Sequence, residues 1–391
     1  MRRGTVWFAL VVIAATSEAV AQDRWPFNVF KQQEEASKAY KRPPARPPPR
    51  RRQGPTREPI LAAPRGQPAS WYWRITKASW TQTDEKAFEG FVARIGESGC
   101  RNVHACLTSA TSNPMFHTSN PPGMTFYADC ADLPYMLRAY FAWKNGLPFS
   151  YSSAVLPIGA TRDIRYTRLG NRVIARHQVV GPVVDARRAI RRMVDTISSA
   201  HYRYPPRQTD RMLPDHYPVA ITPKSIRPGT LVYDPNGHVA VVYKVGADGR
   251  IHYIDTHPDN SLTRGVYGRS FVRSSPGMGA GFKRWRPQRL VGAKRDEDGY
   301  LAGGEIVLAP DRDIPDWSDE QVYGNAGGGE RTWRRAEFVI DGQSVDYYEF
   351  VRKRLAGVGF RYDPLNETRE MVRTLCGDAK YRVDAVNVAV K

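Results

Sequence analysis

Apolar side chains recur at helical spacing in the first half of the chain. In DEKAFEGFVARIGESG, Phe88, Phe91, Val92 and Ile95 follow the i, i+3, i+4, i+7 rule, with Thr83 as the expected cap and Gly96 or Gly99 as the stop. From Cys130 onward, Leu133, Leu137, Tyr140 and Phe141 share a face, and Asn145-Gly146 followed by Pro148 closes that segment. Pro134, about one turn in, predicts an irregular or kinked start. A third helix is expected from Asp185 to about His201, with Ala186, Ala189, Ile190, Met193 and Ile197 inward and arginines outward. Beyond Pro228 the apolar period drops to that of a strand. TLVYDP, HVAVVYKVG and RIHYIDTH read as three strands, the last two joined through Ala247-Asp248-Gly249. Residues 296–331 are rich in Gly, Asp and Pro and predict an irregular surface segment. RAEFVIDGQSVDYYEFVRKRLAG then predicts a strand, a turn at Asp341-Gly342, and a helix through Phe350, Val351 and Leu355. A last helix, around Leu365 to Leu375, precedes Cys376. Helices ahead of an antiparallel sheet make the expected class α+β.

Composition changes this picture mainly at the N-terminus. With 41% apolar and 11% aromatic residues in 391, the chain can build a core, which excludes global disorder. MRRGTVWFALVVIAATSEAVAQ has a basic start, a short apolar run and small residues ahead of Gln22, the pattern of a secretory signal peptide cleaved after Ala21. The run from Val6 to Ala15 is too short to cross about 30 Å of hydrocarbon, and no later segment is apolar enough to try. A secreted or periplasmic mature protein without a transmembrane segment is therefore expected. The net charge of +19 is concentrated in part in KRPPARPPPRRRQGPTREP, so residues 22–69 read as an extended, disordered basic linker. Such a surface attracts anionic partners, and envelope polymers are the expected ones for an exported chain. Specific nucleic-acid binding is disfavoured, because the aromatic residues are scattered rather than interleaved with the basic run.

Export also frames the four cysteines. Cys100 and Cys106 are close enough in sequence to close a small disulfide loop, which leaves Cys130 and Cys376 either paired or free. No spacing resembles a zinc site, and no metal is expected. Cys130 follows Asp129, a good N-cap residue, at the head of the second helix. A helix N-terminus favours a thiolate and offers N–H groups to an oxyanion, while a packed structural cysteine is the alternative. His238 opens a strand after Gly237. A hairpin symmetric about Ala247 and Asp248 sets Val245 opposite Arg250, Val242 opposite Tyr253, Ala240 opposite Asp255 and His238 opposite His257. Asp255 then lies on the face of His238 as its diagonal neighbour, about 7 Å away, and His252 falls on the other face. His257 stays as a rival orienter or a substrate contact. The competing reading makes His238 and Asp255 ordinary strand residues.

DCADL ahead of an apolar helix resembles the DCSGF opening of NlpC-type cell-wall peptidases. RPGTLVYDPNGHVAVVYKVGADGRIHYID resembles the Pro-Gly-Asp-Leu…Gly-His-Val-Ala-Ile-Val…Asp-Gly…Ile segment of CHAP-type amidohydrolases. The resemblance implies a papain-like core with Cys130 as nucleophile, His238 as base and Asp255 as orienter, where CHAP members usually carry glutamate. It also implies amide hydrolysis without metal or organic cofactor and peptidoglycan peptides as the substrate class. The oxyanion would be held by the Cys130 N–H with Tyr127, beside Asp129. Two departures stand out: Thr230 replaces the usual acidic residue, and 108 residues (238 − 130) separate cysteine from histidine. YIDTHPD gives a second resemblance, to the transglutaminase-like core, although the tryptophan expected after its histidine is missing. A non-catalytic envelope-binding protein on the same fold is a third reading, which a Cys130–Cys376 disulfide would mark. The expected organisation is a hydrolase-like domain over 70–290 with a helical insertion at 151–227, then a Gly/Asp-rich segment and helical extension over 291–391.

Overall fold

The computed structural model describes residues 54–57, 71–159, 163–181, 183–326, 332–357 and 359–389. The expected signal peptide (1–21) lies outside the described residues, as does the expected linker (22–69) except for β1 (Gly54–Arg57). That stretch is a strand rather than unpaired linker.

Helix α1 (Gln82–Glu97) starts two residues earlier than expected. Its cap is Thr81 and not Thr83, because Asp84 stands three residues after Thr81 and the two side chains satisfy each other's backbone N–H groups. Phe88, Phe91, Val92 and Ile95 are buried as the spacing requires. Helix α2 (Val103–Thr108) follows, with Cys100 and Cys106 joined in a disulfide at its start. Helix α3 (Asp132–Lys144) is buried on every side from Asp132 to Trp143, so it is the central helix and not an amphipathic surface one. Pro134 sits in the first turn, where an N–H has no helical partner to lose, and Cys130-Ala131 form a turn ahead of the helix, the irregular start expected there. Phe141 packs against Trp80, Phe88, Phe91 and Phe116, with ring centroids 5.5–5.9 Å apart. Arg138 joins this aromatic core because Glu85 takes its guanidinium in two hydrogen bonds of 2.9 and 2.5 Å while Trp80 stacks on it at 3.3 Å.

The insertion is not mainly helical. Strands β3 (Phe149–Pro157) and β4 (Asn171–Val179) run antiparallel, with β1 parallel on the other side of β4. Most of β3 is buried on both faces, which erases the alternation that marks a half-exposed strand in sequence. Helix α4 (Ala186–Val194), capped by Asp185, is half the expected length. β2 (Tyr72–Trp73) pairs with β5 (Val184–Asp185) at the base of that helix. Fully buried Asp215 binds the Arg176 guanidinium at 2.6 Å, the Ser152 N–H at 2.8 Å and the Tyr135 hydroxyl at 2.7 Å, which fixes β3 and β4 to α3.

A six-stranded antiparallel sheet carries the rest. It contains β6 (His216–Pro218), β7 (Leu231–Tyr233), β8 (Val239–Val245), β9 (Ile251–Thr256), β10 (Leu262–Val266) and β11 (Gly281–Trp285), in the order β10-β9-β8-β7-β11-β6. Val239 and Val241 pack with the helices α1 and α3, whereas Val242 and Ile251 pack on the other side with Phe350 and Val351. The chain after residue 290 is therefore built into the same compact unit, which spans Gln53–Lys391. Within it, β12 (Gln288–Val291) pairs with β15 (Glu305–Leu308), and β13 (Lys294–Arg295) with β14 (Leu301–Ala302), so the Gly- and Asp-rich stretch is partly ordered as strands. After the single-turn α5 (Glu320–Tyr323), β16 (Phe338–Ile340) and β17 (Gln343–Val345) form a hairpin whose Asp341 and Gly342 both take positive φ, 50° and 76°. Then come α6 (Tyr347–Leu355) and α7 (Pro364–Ala389), the latter well past its expected end. Among the described residues no helix is long and apolar enough to cross a membrane. The class is mixed α+β.

Removing one partner of the buried Arg176–Asp215 pair strands a charge in the core. Asp215→Ala should cost about 3–5 kcal/mol in urea unfolding, and a loss below about 1 kcal/mol would show that the pair does not tie the insertion to α3.

Candidate active site

The backbone around Cys130 is held from three sides. Asp129 turns its carboxylate back over the helix start, where Oδ1 accepts from Ala131 N at 2.9 Å and Asp132 N at 3.2 Å. Asp132 returns the favour by accepting from Asp129 N at 3.3 Å. The Thr256 hydroxyl donates to Asp129 O at 2.6 Å and the Tyr202 hydroxyl to Ala131 O at 2.6 Å. Asn260, in the left-handed region at φ 68°, reads two backbone groups at once: its Oδ1 accepts from Ala128 N at 3.2 Å and its Nδ2 donates to Phe126 O at 3.1 Å. The loop at 126–131 is thus stapled to the end of β9 and the turn after it. The Cys130 side chain is half-buried and unbridged, and its own N–H has no hydrogen-bond partner among the described residues. Cys376 is also free, and exposed on α7.

His238 precedes β8, and its imidazole reaches two partners. Nε2 lies 2.7 Å from Asp255 Oδ2, and Cys130 is close enough to the ring for its hydrogen bonding and charge to act on it. Burial by itself depresses the imidazole, but the hydrogen bonds and charges of Asp255 and Cys130 outweigh it and raise the His238 pKa to about 10. Burial likewise works to raise the Asp255 carboxyl, yet the bond and charge of His238, with help from Thr263 and His257, hold it below its ordinary value. The structure therefore brings Cys130, His238 and Asp255 into one cluster in which the histidine is the shared member.

The register that allows this differs from a symmetric hairpin at one end only. Val242 faces Tyr253 and Val241 faces Ile254, but Val245 faces Ile251 and not Arg250. The turn from Gly246 to Arg250, closed by Gly246 N donating to Arg250 O at 2.8 Å with Gly249 at φ 75°, is one residue longer than assumed, and a bulge between Val242 and Lys244 absorbs the difference. The two errors cancel at the end of the hairpin that carries the site. His252 stays on the other face, beside Tyr243.

The remaining sequence candidates take other positions. Tyr127 is exposed and its hydroxyl donates to Pro258 O, so it fastens the loop and is not aimed at an oxyanion. Asp129 is a cap. His257 lies nearly parallel to His238, 6.4 Å between ring centroids, and contacts Thr263, not Asp255. No group of three or more potential metal ligands occurs among the described residues. Thr256, Asn260, Tyr202 and Thr263 were not legible beforehand. Each acts through a hydroxyl or amide brought in from a distant segment, and the sole local signal was the Asp259-Asn260 turn after β9.

Asp132 supplies a pH-sensitive element. It is 4% exposed, its Oδ1 has no partner, and burial followed by the charge of Asp129 raises its pKa to about 8. The buried Asp132 carboxyl at the helix start thus holds its proton far above the ordinary carboxylate range. The folded state holds this proton more tightly than the unfolded chain, so its stabilising effect falls as pH rises from about 4 to about 8. Asp132→Asn should therefore gain stability relative to the parent across that interval; melting curves with a constant difference between pH 5 and pH 8.5 would contradict it. No protein-family profile, curated protein or solved structure matches this chain.

Proposed function

We propose that the protein is an exported cysteine hydrolase of amide bonds with a compact papain-like core, acting on peptidoglycan peptides. The observation that carries this reading is the free, half-buried Cys130 just ahead of a helix, near enough to act on an imidazole whose Nε2 is held 2.7 Å from Asp255. That is the arrangement nucleophile, base and orienter require.

In the proposed cycle Cys130 gives its proton to His238 Nδ1, and the thiolate adds to the amide carbonyl carbon. The oxyanion forms against the unengaged Cys130 N–H. Protonated His238 passes its proton to the departing amine as the C–N bond breaks, leaving a thioester. Water, deprotonated by the same imidazole, then adds to the thioester, and the thiol is released. An amine in place of water would give transfer by the same steps, as the transglutaminase-like resemblance implies. The substrate class rests on the export signal expected in the sequence and on the net charge of +19, which suits an anionic wall polymer. The Cys130–Cys376 disulfide that would mark a binding-only role is not formed: both thiols are free.

Cys130→Ala and His238→Ala should each lower the release of amines from purified wall fragments by about 10⁴-fold or more, with the folded state unchanged. Parent-level turnover in a folded Cys130→Ala variant would end this reading. Because the imidazolium must protonate the leaving amine, turnover of the parent protein should also decline as pH rises through about 10. An alkaline limb already complete near pH 7 would show that Asp255 and Cys130 do not hold the proton on the ring.

A further inference from the structure

The orienter is itself oriented. Asp255 exposes only 9% of its side chain, and each of its oxygens has a separate partner: Oδ2 meets His238, and Oδ1 accepts a hydrogen bond from the Thr263 hydroxyl. Thr263 sits directly opposite Asp255 in the pairing of β10 with β9. A carboxylate only accepts, so the hydroxyl hydrogen is committed to Asp255 and the hydroxyl oxygen faces His257 Nε2, 3.2 Å away, as an acceptor. That fixes the tautomer of His257: Nε2 carries the hydrogen. The donors run in one direction, from His257 to Thr263 to Asp255, and Asp255 accepts from His238 on its other side.

We propose that Thr263, backed by His257, is a positioning residue that locks the Asp255 carboxylate in the rotamer which keeps His238 turned toward Cys130. The inference rests on the hydrolase reading and deepens it. It also gives His257 a use: the ring supports the far end of the relay and does not replace Asp255. Without the hydroxyl, Asp255 keeps one directional contact in place of two, and its side chain is free to rotate about χ1 and χ2. The imidazolium then loses part of the charge opposite it, and the thiolate that shares the ring loses stabilisation in turn. The charges facing His257 are Asp255 within the relay and Asp259 in the turn after β9.

The experiment follows alkylation of Cys130 by iodoacetamide against pH, in a Cys376→Ser background because Cys376 is a second free, exposed thiol. In the parent protein, alkylation should persist to lower pH than in His238→Ala, which lacks the imidazole. Thr263→Val, which keeps the shape and removes the hydroxyl, should move the acid limb up by about one pH unit or more, and Thr263→Ser should restore the parent curve. His257→Phe should move it in the same direction, and it carries the test alone if Thr263→Val does not fold. Superimposable parent and Thr263→Val curves, or superimposable parent and His257→Phe curves where Thr263→Val is unfolded, would overturn the relay while leaving the hydrolase standing. Superimposable parent and His238→Ala curves would instead remove the thiolate–imidazolium pair and, with it, the hydrolase.

Discussion

A carboxylate stripped of nearly all its water must find matching donors or give up its charge, and at Asp255 the principal donor is His238. The 2.7 Å contact between them is charge-assisted and partly shielded from solvent, and together with Cys130 it overrides the burial that would otherwise leave the imidazole neutral. Everything at the site follows from that balance. With the ring anchored through Nε2, its other edge is left to Cys130, which lies near enough to act on the ring. Without the anchor the ring could turn, and Cys130 would be an ordinary half-buried thiol.

The surroundings hold the sulfur where the ring can use it. Helix α3 has almost no solvent-facing side, so its N-terminus cannot drift without disturbing packed aromatics along its length. The loop ahead of it is pinned to the end of β9 through Thr256 and Asn260 and to the insertion through Tyr202. Nucleophile and base therefore stand on different elements whose separation is set by hydrogen bonds to backbone groups, a rigid way to keep two side chains in register. The insertion, far from hanging off the cleft, reaches the core through Arg176 and Asp215.

Charge is distributed with the same logic. The chain as a whole carries +19, yet the residues flanking Cys130 at the helix start include the carboxyls of Asp129 and Asp132. Two carboxylates at the helix start would oppose a thiolate. Burial keeps Asp132 protonated up to about pH 8 and so limits that opposition, while its Oδ2 still accepts a hydrogen bond at the cap. Asp129 spends its charge on backbone N–H groups.

Local pattern alone determined a good part of this molecule. The burial of Phe88, Phe91, Val92 and Ile95, the strands containing Val241 and Ile254, and the turn at Asp341-Gly342 all follow from spacing or turn chemistry that neighbours in sequence enforce. The proximity of His238 and Asp255 was also within reach, because a hairpin pairs residues that are close along the chain. What required the tertiary structure was anything settled by groups far apart in sequence. The β3–β4 sheet was invisible because two-sided burial removes alternation, and the bulge at Tyr243 because many turn lengths fit the same apolar pattern. The meeting of Cys130 with His238, and the hydroxyls of Thr256, Tyr202 and Thr263 that brace the site, depend on how α3, the insertion and β10 pack against β8 and β9. A hydroxyl or an amide becomes a structural support only when folding brings an acceptor or donor to it, and no periodicity in the chain records that event.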